Sequence, residues 1–224
     1  MLLTARNLEK SYKDLKVLKN VSLDIKKGEF IAIIGPSGAG KSTLLHLLGI
    51  LEKPDSGTIT ISGQELNLLN ASKQANFRNK HIGFVFQSHH LLPEFSALEN
   101  VSIPLRIAGI DEKTAGNEAK KILVQLGLAN RLEHKPNELS GGEQQRVAIA
   151  RAIIQKPEVI FADEPTGNLD SHTAQEINKI FIQLVDQYKI TLIIVTHNEG
   201  LTKLAHRVLY MKDGMIVEER MKSD

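Results

Sequence analysis

One glycine-rich loop constrains the fold of this chain more than any other feature of its sequence. The loop reads Gly35-Pro-Ser-Gly-Ala-Gly-Lys-Ser42 and matches the pattern G-x-x-x-x-G-K-[ST]. An apolar stretch typical of a short strand, 30–34, precedes it, and a helical pattern over 42–51 follows it. Glycines let backbone N–H groups turn inward around phosphate oxygens, and the start of a helix adds positive charge. The sequence therefore predicts a nucleotide site between a strand and a helix.

The side chains of this loop predict how the phosphates would be held. Lys41 is expected to reach the β- and γ-phosphates, and the hydroxyl of Ser42 is expected to bind Mg²⁺. The backbone of the loop would supply the remaining phosphate contacts. The predicted nucleotide-binding residues of this region are Gly35, Pro36, Ser37, Gly38, Ala39, Gly40, Lys41, Ser42 and Thr43.

Two acidic residues follow a second apolar strand. The stretch 159–162 leads directly into Asp163 and Glu164. Because ligands of an α/β sheet bind beyond the carboxyl ends of its strands, both acids are expected near the phosphate loop. Asp163 suits Mg²⁺ coordination, and Glu164 suits polarisation of a water that attacks the γ-phosphate. Alone, the pair reads equally well as a solvated strand end, but the phosphate loop favours the functional interpretation.

The order of predicted elements indicates one α/β domain with a helical insertion. We expect residues 1–87 and 157–224 to form an α/β core with a β subdomain, and about 88–156 to form a helical subdomain. A single domain over 1–224 is consistent with the chain length of 224 residues. Predicted strands cover 2–7, 17–25, 30–34, 58–61, 82–86, 159–162, 190–195 and 208–211, and predicted helices include 42–51, 70–79 and 171–187.

The composition excludes several other classes of protein. The chain has no cysteine, which excludes disulfide frameworks, Cys-ligated zinc, iron–sulfur clusters and thiol catalysis. Its formal net charge of +2 gives no electrostatic reason to expect nucleic acid as a partner. The sequence has no signal-peptide pattern and no apolar stretch near the roughly 18 residues that span a bilayer. We therefore expect a reducing, cytoplasmic setting in which partner proteins make any contact with a membrane.

A pair of glycines lies where a helix is predicted to begin. Ser140 and Glu143 have the spacing of a capping box, which explains those two residues. It does not explain Gly141 and Gly142, because a glycine in a helix costs up to about 1 kcal/mol relative to alanine. Bare backbone at a helix N-terminus suits the close approach of an anion. Since the loop at 35–42 already provides one phosphate site, this second anion site requires another role.

The stretch 139–152 resembles the signature motif of ATP-binding-cassette (ABC) ATPases, and the order of features along the whole chain is similar to that family. The resemblance implies a P-loop NTPase fold of the ABC type, with a RecA-like core, an N-terminal antiparallel β subdomain and an α-helical insertion. It implies ATP and Mg²⁺ as cofactors. It also implies a homodimer that pairs head to tail, in which Ser140, Gly141 and Gly142 of one copy act on the ATP that the other copy holds.

Three further positions resemble residues of defined role in that family. Tyr12 resembles the aromatic residue that stacks on adenine, Gln87 the glutamine that contacts Mg²⁺ or water, and His197 the switch histidine that contacts the γ-phosphate. Residues 168–170 resemble the D-loop. Taken alone, the three side chains read as a surface aromatic, a polar strand end and a structural histidine, but their order favours the functional interpretation. The predicted catalytic residues are thus Glu164 and His197, and the predicted Mg²⁺ ligands are Ser42, Gln87 and Asp163.

The segments 164–170 and 87–100 resemble one subgroup of ABC ATPases. This subgroup includes lipoprotein-releasing, macrolide-export and cell-division cassettes, and the second segment is most similar to the lipoprotein-releasing ATPases. The resemblance implies ATP hydrolysis coupled to transport, with two transmembrane permease subunits, at the cytoplasmic face of the bacterial inner membrane. Macrolide-type efflux or a cell-division complex remains the alternative. The adjacent His89 and His90 favour a surface that faces a partner over a metal site.

A non-transport ABC protein that acts on DNA or ribosomes is a less favoured reading. Such proteins generally carry long coiled-coil insertions or two fused cassettes, and 224 residues accommodate neither. A P-loop kinase or GTPase is disfavoured by the motif at 139–144 and by His197.

Overall fold

The computed structural model describes residues 1–222, and within that range it contains two β-sheets and seven α-helices. The strands are β1 (Leu3–Tyr12), β2 (Leu15–Ile25), β3 (Phe30–Ile34), β4 (Ser56–Ile61), β5 (Gln64–Glu65), β6 (Ile82–Phe86), β7 (Val159–Asp163), β8 (Thr191–Val195), β9 (Arg207–Lys212) and β10 (Met215–Met221). The helices are α1 (Lys41–Leu48), α2 (Ala71–His81), α3 (Ala97–Ile107), α4 (Glu112–Gln125), α5 (Gly141–Ile153), α6 (Ser171–Asp186) and α7 (Glu199–Leu204). Among these described residues, no helix combines the length and the apolar character that crossing a membrane requires.

The larger sheet has the strand order β10-β9-β3-β8-β7-β6, and its strands are parallel except for β10. Helices cover both faces of this sheet, so β7 and β8 are almost completely buried. α1 contributes Leu44 and Leu45 to the apolar cluster on one face. α6 contributes Ile177 and Phe181 to the cluster on the other face. The predicted parallel α/β core is confirmed.

The smaller sheet is antiparallel, with the order β2-β1-β4-β5. The prediction that its first strand ends at residue 7 is wrong, because β1 continues to Tyr12 and pairs there with Leu15 of β2. Lys13 begins the tight turn between them with a φ of 53°. The additional strand length has no apolar alternation, since residues 9–12 are half-buried or exposed. The hairpin places Tyr12 at its tip.

The helices between β6 and β7 pack around a cluster of their own. α3 contributes Val101, α4 contributes Leu123, and α5 contributes Val147 to this cluster. In the described range no strand lies between β6 and β7, in agreement with the α-helical insertion predicted for this part of the chain.

α1 is shorter than the predicted 42–51, because it ends at Leu48. Gly49 follows, and a Cβ at that position would lie 2.2 Å from Cζ of Phe84. Ile50 then adopts a φ of 51°, which turns the chain out of the helix. Tertiary packing against Phe84 therefore requires a glycine where the helix ends.

Glu158, just before β7, connects the core to the end of β4. Its Oε2 accepts a hydrogen bond from the Ser62 hydroxyl at 2.8 Å, and its Oε1 lies 2.8 Å from Nδ1 of His81. Partial burial opposes ionisation, but the contacts with Ser62 and His81 hold the pKa of Glu158 below its ordinary value. A lowered pKa stabilises the folded state fully above the unfolded-state pKa of roughly 4.3. That stabilisation is lost as the pH falls through the folded-state pKa.

We expect E158Q to lower the free energy of unfolding by about 1 kcal/mol at neutral pH, because it removes a partly buried, hydrogen-bonded charge. Urea denaturation of both proteins at about pH 7, 5 and 3.5 measures the effect. The difference between wild type and variant should persist near pH 5 and shrink below roughly pH 4. A difference that stays constant over this range would mean that the charge of Glu158 does not stabilise the fold.

Candidate functional site

The ends of four neighbouring strands place most of the predicted site residues at one edge of the larger sheet. Ile33 of β3 pairs with Val195 of β8, Val195 pairs with Asp163 of β7, and Asp163 pairs with Phe86 of β6. The residues that follow these strands therefore leave the sheet side by side. In open α/β sheets, ligands bind beyond this carboxyl edge. The structure brings together the loop at 35–42, Asp163, Glu164, Gln87 and His197.

The phosphate loop folds around its own lysine. The Nζ of Lys41 donates hydrogen bonds to the carbonyl oxygens of Gly35 and Pro36, each at 2.9 Å. Lys41 is only 7% exposed, so the loop contains a mostly buried cation. A Cβ on Gly35 would lie 2.0 Å from the carbonyl oxygen of Met211, and Gly40 has a φ of 94°. Both positions therefore require glycine for reasons of the fold itself.

Glu164 and His197 contact each other directly. The Oε2 of Glu164 accepts a hydrogen bond from the backbone N–H of His197 at 3.2 Å, and its Oε1 lies 3.3 Å from Nε2 of the same histidine. Glu164 has a φ of 44°, in the left-handed region, and its backbone N–H donates to the carbonyl of Val195. A left-handed conformation costs a residue with a Cβ about 1–2 kcal/mol, and such residues concentrate at functional sites.

Gln87 lies next to the D-loop-like segment. Its Nε2 donates to Oδ1 of Asn168 at 2.9 Å, and Nδ2 of Asn168 lies 3.4 Å from the backbone carbonyl of Gln87. A Cβ on Gly167 would lie 2.8 Å from Nε2 of Gln87. The side-chain nitrogen of Gln87 thus has a hydrogen-bond partner, whereas its Oε1 accepts no hydrogen bond from residues 1–222.

Tyr12 lies beside the start of α1, although β1 belongs to the other sheet. The side chain of Thr43, the residue after Ser42, lies near the Tyr12 hydroxyl. That hydroxyl also donates a hydrogen bond to Glu52. Partial burial, together with the carboxylate of Glu52, raises the pKa of Tyr12 above its ordinary value. The hairpin tip therefore meets the helix that follows the phosphate loop.

The capping box predicted at the start of α5 is present. The Ser140 hydroxyl accepts from the N–H of Glu143 at 3.3 Å, and the Glu143 carboxylate accepts from the N–H of Ser140 at 2.8 Å. A hydrogen bond from Arg131 and the one from Ser140 hold the pKa of Glu143 below its ordinary value. The pair of glycines has a partly different explanation from the one predicted. A Cβ on Gly142 would lie 2.4 Å from Cγ2 of Thr173 in α6, so packing within the chain requires that glycine.

Gly141 differs from its neighbour, because a Cβ there would meet Leu169 at 3.4 Å, a contact that a small shift relieves. Among residues 1–222, no hydrogen bond or ion pair joins 140–142 to the loop at 35–42. The structure of one chain does not bring the signature-like motif into contact with the phosphate loop.

The predicted Mg²⁺ ligands fit a cation that arrives with a nucleotide. Asp163 is half-buried at the end of β7, directly beside Phe86, which precedes Gln87. No group of three or more acidic, histidine or cysteine side chains within residues 1–222 is arranged to hold a metal ion. Mg²⁺ is commonly bound by one or two carboxylates together with phosphate and water oxygens. One carboxylate fits that donor set, and one amide and the Ser42 hydroxyl add oxygen ligands.

Two side chains near Tyr12 were missed by sequence reasoning. Glu52 contacts the Tyr12 hydroxyl across 40 positions of the chain, and its Oε1 lies 3.3 Å from Nδ1 of His46. No local pattern marks Glu52, because it lies in an irregular segment after α1. Only the meeting of β1 with the segment at 53–56 brings it to the tyrosine.

Comparison with known proteins places these features in one family. The sequence model described as "ABC transporter" matches residues 18–167. The lipoprotein-releasing system ATP-binding protein LolD of Bacteroides thetaiotaomicron is 50% identical over 218 residues, which cover 97% of this chain and 100% of that protein. The LolD protein of Porphyromonas gingivalis is 49% identical, and the match covers 98% of this chain and 100% of the relative.

Solved structures of ABC proteins superimpose closely on this chain and indicate the same family. A dimeric, post-hydrolysis structure of the ATP-binding cassette MJ0796 with ADP and Pi superimposes with a TM-score of 0.93 at 39% sequence identity. The match covers 100% of both chains. A cbiO1 structure from Clostridium perfringens, part of the ABC transporter complex cbiONQ, superimposes with a TM-score of 0.87 at 30% identity.

Proposed function

The chain belongs to the ABC transporter family, and on that premise we propose that it is the ATPase subunit that drives release of lipoproteins from the bacterial inner membrane. The observation that carries the proposal is the identity of about half of all residues, along nearly the whole chain, to LolD proteins. On this proposal the chain is peripheral to the cytoplasmic face of that membrane. It contacts the membrane through two transmembrane permease subunits.

We assign the chemistry of hydrolysis to the carboxyl edge of the larger sheet. Lys41 would neutralise charge on the β- and γ-phosphates, and the backbone of the loop would hold their oxygens. Glu164 would accept a proton from the attacking water. His197, 3.3 Å from Glu164, would orient that carboxylate and reach the γ-phosphate. Their mutual contact supports the assignment, because a base and its orienting partner must lie within hydrogen-bond reach.

Ser42, Gln87 and Asp163 would hold Mg²⁺, which when bound neutralises charge on the phosphates of ATP. Gln87 and Asn168 are hydrogen-bonded in the present structure. The Oε1 of Gln87 accepts no hydrogen bond within residues 1–222 and is the oxygen suited to bind the cation.

We propose that the functional unit is a head-to-tail dimer. Gly141 supports this assignment, because neither the capping box nor packing within the chain requires a glycine there. Ser140 and Gly141 are both exposed at the start of α5. The bare first turn of that helix suits a γ-phosphate held by a second copy of the chain.

A groove of about 370 Å³ supports the proposed permease contact. It lies between α2, β6 and the carboxyl ends of α3 and α5, and it begins directly before Gln87. Phe84 and Phe86 line it, together with the exposed apolar side chains of Leu51 and Ile107. An apolar groove rimmed by polar residues is typical of a protein–protein contact.

Reconstitution tests the proposed function. The chain and its two permease subunits would be incorporated into proteoliposomes with a lipidated protein, and a lipoprotein-binding carrier would be added outside. We expect ATP to transfer the lipoprotein to the carrier, and we expect no transfer when the complex carries E164Q. ATP-dependent export of a small amphiphile without lipoprotein transfer would contradict the proposal and indicate an efflux pump.

A further inference from the structure

The hydroxyl of Tyr12 is anchored at the hairpin tip, although the residue as a whole is 42% exposed. The hydroxyl donates a hydrogen bond to Oε2 of Glu52. Nζ of Lys10 lies 5.5 Å from the ring centroid, over one face of the ring. Tyr12 thus presents an apolar ring that Lys10 covers on one face, while Glu52 holds its hydroxyl.

Glu52 connects this ring to the helix of the phosphate loop. Its second oxygen, Oε1, lies 3.3 Å from Nδ1 of His46 in the last turn of α1. The side chains of Glu52 and His46 are 32% and 30% exposed, so the contact is partly shielded from water. Thr43, one turn earlier in α1, lies near the same tyrosine hydroxyl. The position of Tyr12 is therefore set relative to α1, which begins at Lys41.

Other contacts hold the strand but not the ring. The N–H of Asp55 donates to the carbonyl of Glu9, and the N–H of Ser11 donates to Oδ2 of Asp55 at 2.7 Å. These bonds fix the backbone of β1 against the segment after Glu52. They leave the side-chain torsions of Tyr12 free. Among the contacts within residues 1–222, the hydrogen bond from the hydroxyl to Glu52 and the Lys10 side chain over one face restrict the orientation of the ring.

We propose that Glu52 is a positioning residue that sets the ring of Tyr12 for stacking on the adenine base. The inference rests on the proposed role of Tyr12. A ring fixed before binding loses less side-chain entropy when the base stacks on it. Glu52 therefore acts on nucleotide affinity, whereas the hydrolytic step depends on Glu164.

A double-mutant cycle on ADP affinity tests this inference. ADP carries the adenine base and is not hydrolysed, and calorimetry measures its dissociation constant directly. We expect E52A to weaken ADP binding about fivefold, which corresponds to the net worth of one hydrogen bond. Y12F should weaken it by a similar factor, and the double variant should be no weaker than Y12F alone. At saturating ATP, kcat should be unchanged in E52A while KM rises.

Two matched variants complete the cycle. E52Q keeps an oxygen that accepts from the Tyr12 hydroxyl, so its affinity should return to within about twofold of wild type. E9Q removes a carboxylate from β1 that pairs with Lys16 at 2.7 Å and does not touch the ring. Its affinity for ADP should equal that of wild type. Thermal melting of every variant checks that the fold is retained.

The possible results separate the inference from the function on which it rests. Losses that add fully in the double variant, or a lowered kcat in E52A, would overturn the positioning role of Glu52. Because the chain has no tryptophan, Y12W introduces a single tryptophan at the hairpin tip, whose fluorescence can be excited selectively. Quenching of that fluorophore by ADP would support the adenine contact itself. Unchanged fluorescence would overturn both the contact and the inference.

Discussion

Replacing Glu164 with glutamine is expected to lower ATP turnover by at least about a hundredfold, because a general base typically contributes a factor of that size or more. Glutamine has the same length and still accepts the hydrogen bond that the backbone N–H of His197 donates at 3.2 Å. Its amide does not accept a proton from water. ATP affinity should therefore stay within about threefold of wild type, since only the transition state loses an interaction.

Phosphate release at saturating ATP gives the turnover of E164Q, and equilibrium binding gives its affinity. Unhydrolysed ATP should also keep two copies of the variant together. We therefore expect E164Q to elute as a dimer with ATP and Mg²⁺ and as a monomer without nucleotide.

E158Q is the matched control, because it is the same substitution at the opposite end of β7. It should keep wild-type turnover near neutral pH while its stability changes as described above. Turnover of E164Q equal to that of wild type would remove Glu164 as the catalytic carboxylate. Equal losses in E164Q and E158Q would mean that the substitution acts through stability.

The strand ends of the site were predictable because they follow short apolar runs. Asp163 directly follows one short apolar run, and Phe86 is the last residue of another. Polar residues come next in both cases, so the sequence itself marks where each strand stops. Parallel strands present their ends at one edge, which predicted Glu164 beside the phosphate loop, whereas Gln87 was assigned to the site through the family resemblance. The structure adds the strand order and the register that pairs Asp163 with Phe86.

Contacts made by tertiary packing were not predictable in this way. Gly142 is a glycine because of Thr173 in α6, a reason that the local sequence does not contain. β1 continues to Tyr12 because its backbone pairs with β2, although its side chains there show no apolar alternation. Glu52 meets Tyr12 only after the two sheets and α1 have assembled. Each of these features depends on a neighbour distant in the chain, and single-sequence patterns report only near neighbours.

Removing the amine of Lys41 is expected to weaken ATP binding by about 10- to 100-fold, the range for a charge-assisted hydrogen bond to a phosphate. In the structure Nζ donates to the carbonyls of Gly35 and Pro36 at 2.9 Å, so the cation is held within the loop before phosphate arrives. A mostly buried ammonium loses little further hydration when it meets the β- and γ-phosphates. Calorimetry of K41A with ATP measures the loss.

AMP separates the phosphate contact from the integrity of the loop. It carries the base and the α-phosphate but neither phosphate assigned to Lys41, so K41A should bind AMP about as well as wild type does. K27A removes an exposed lysine at the opposite end of β3 and should change neither affinity. K41R keeps a cation that can donate to the same carbonyls, and we expect it to recover part of the ATP affinity. If K41A lost AMP and ATP binding by the same factor, the loop would have rearranged without its central cation, and the assignment of Lys41 to the β- and γ-phosphates would be wrong.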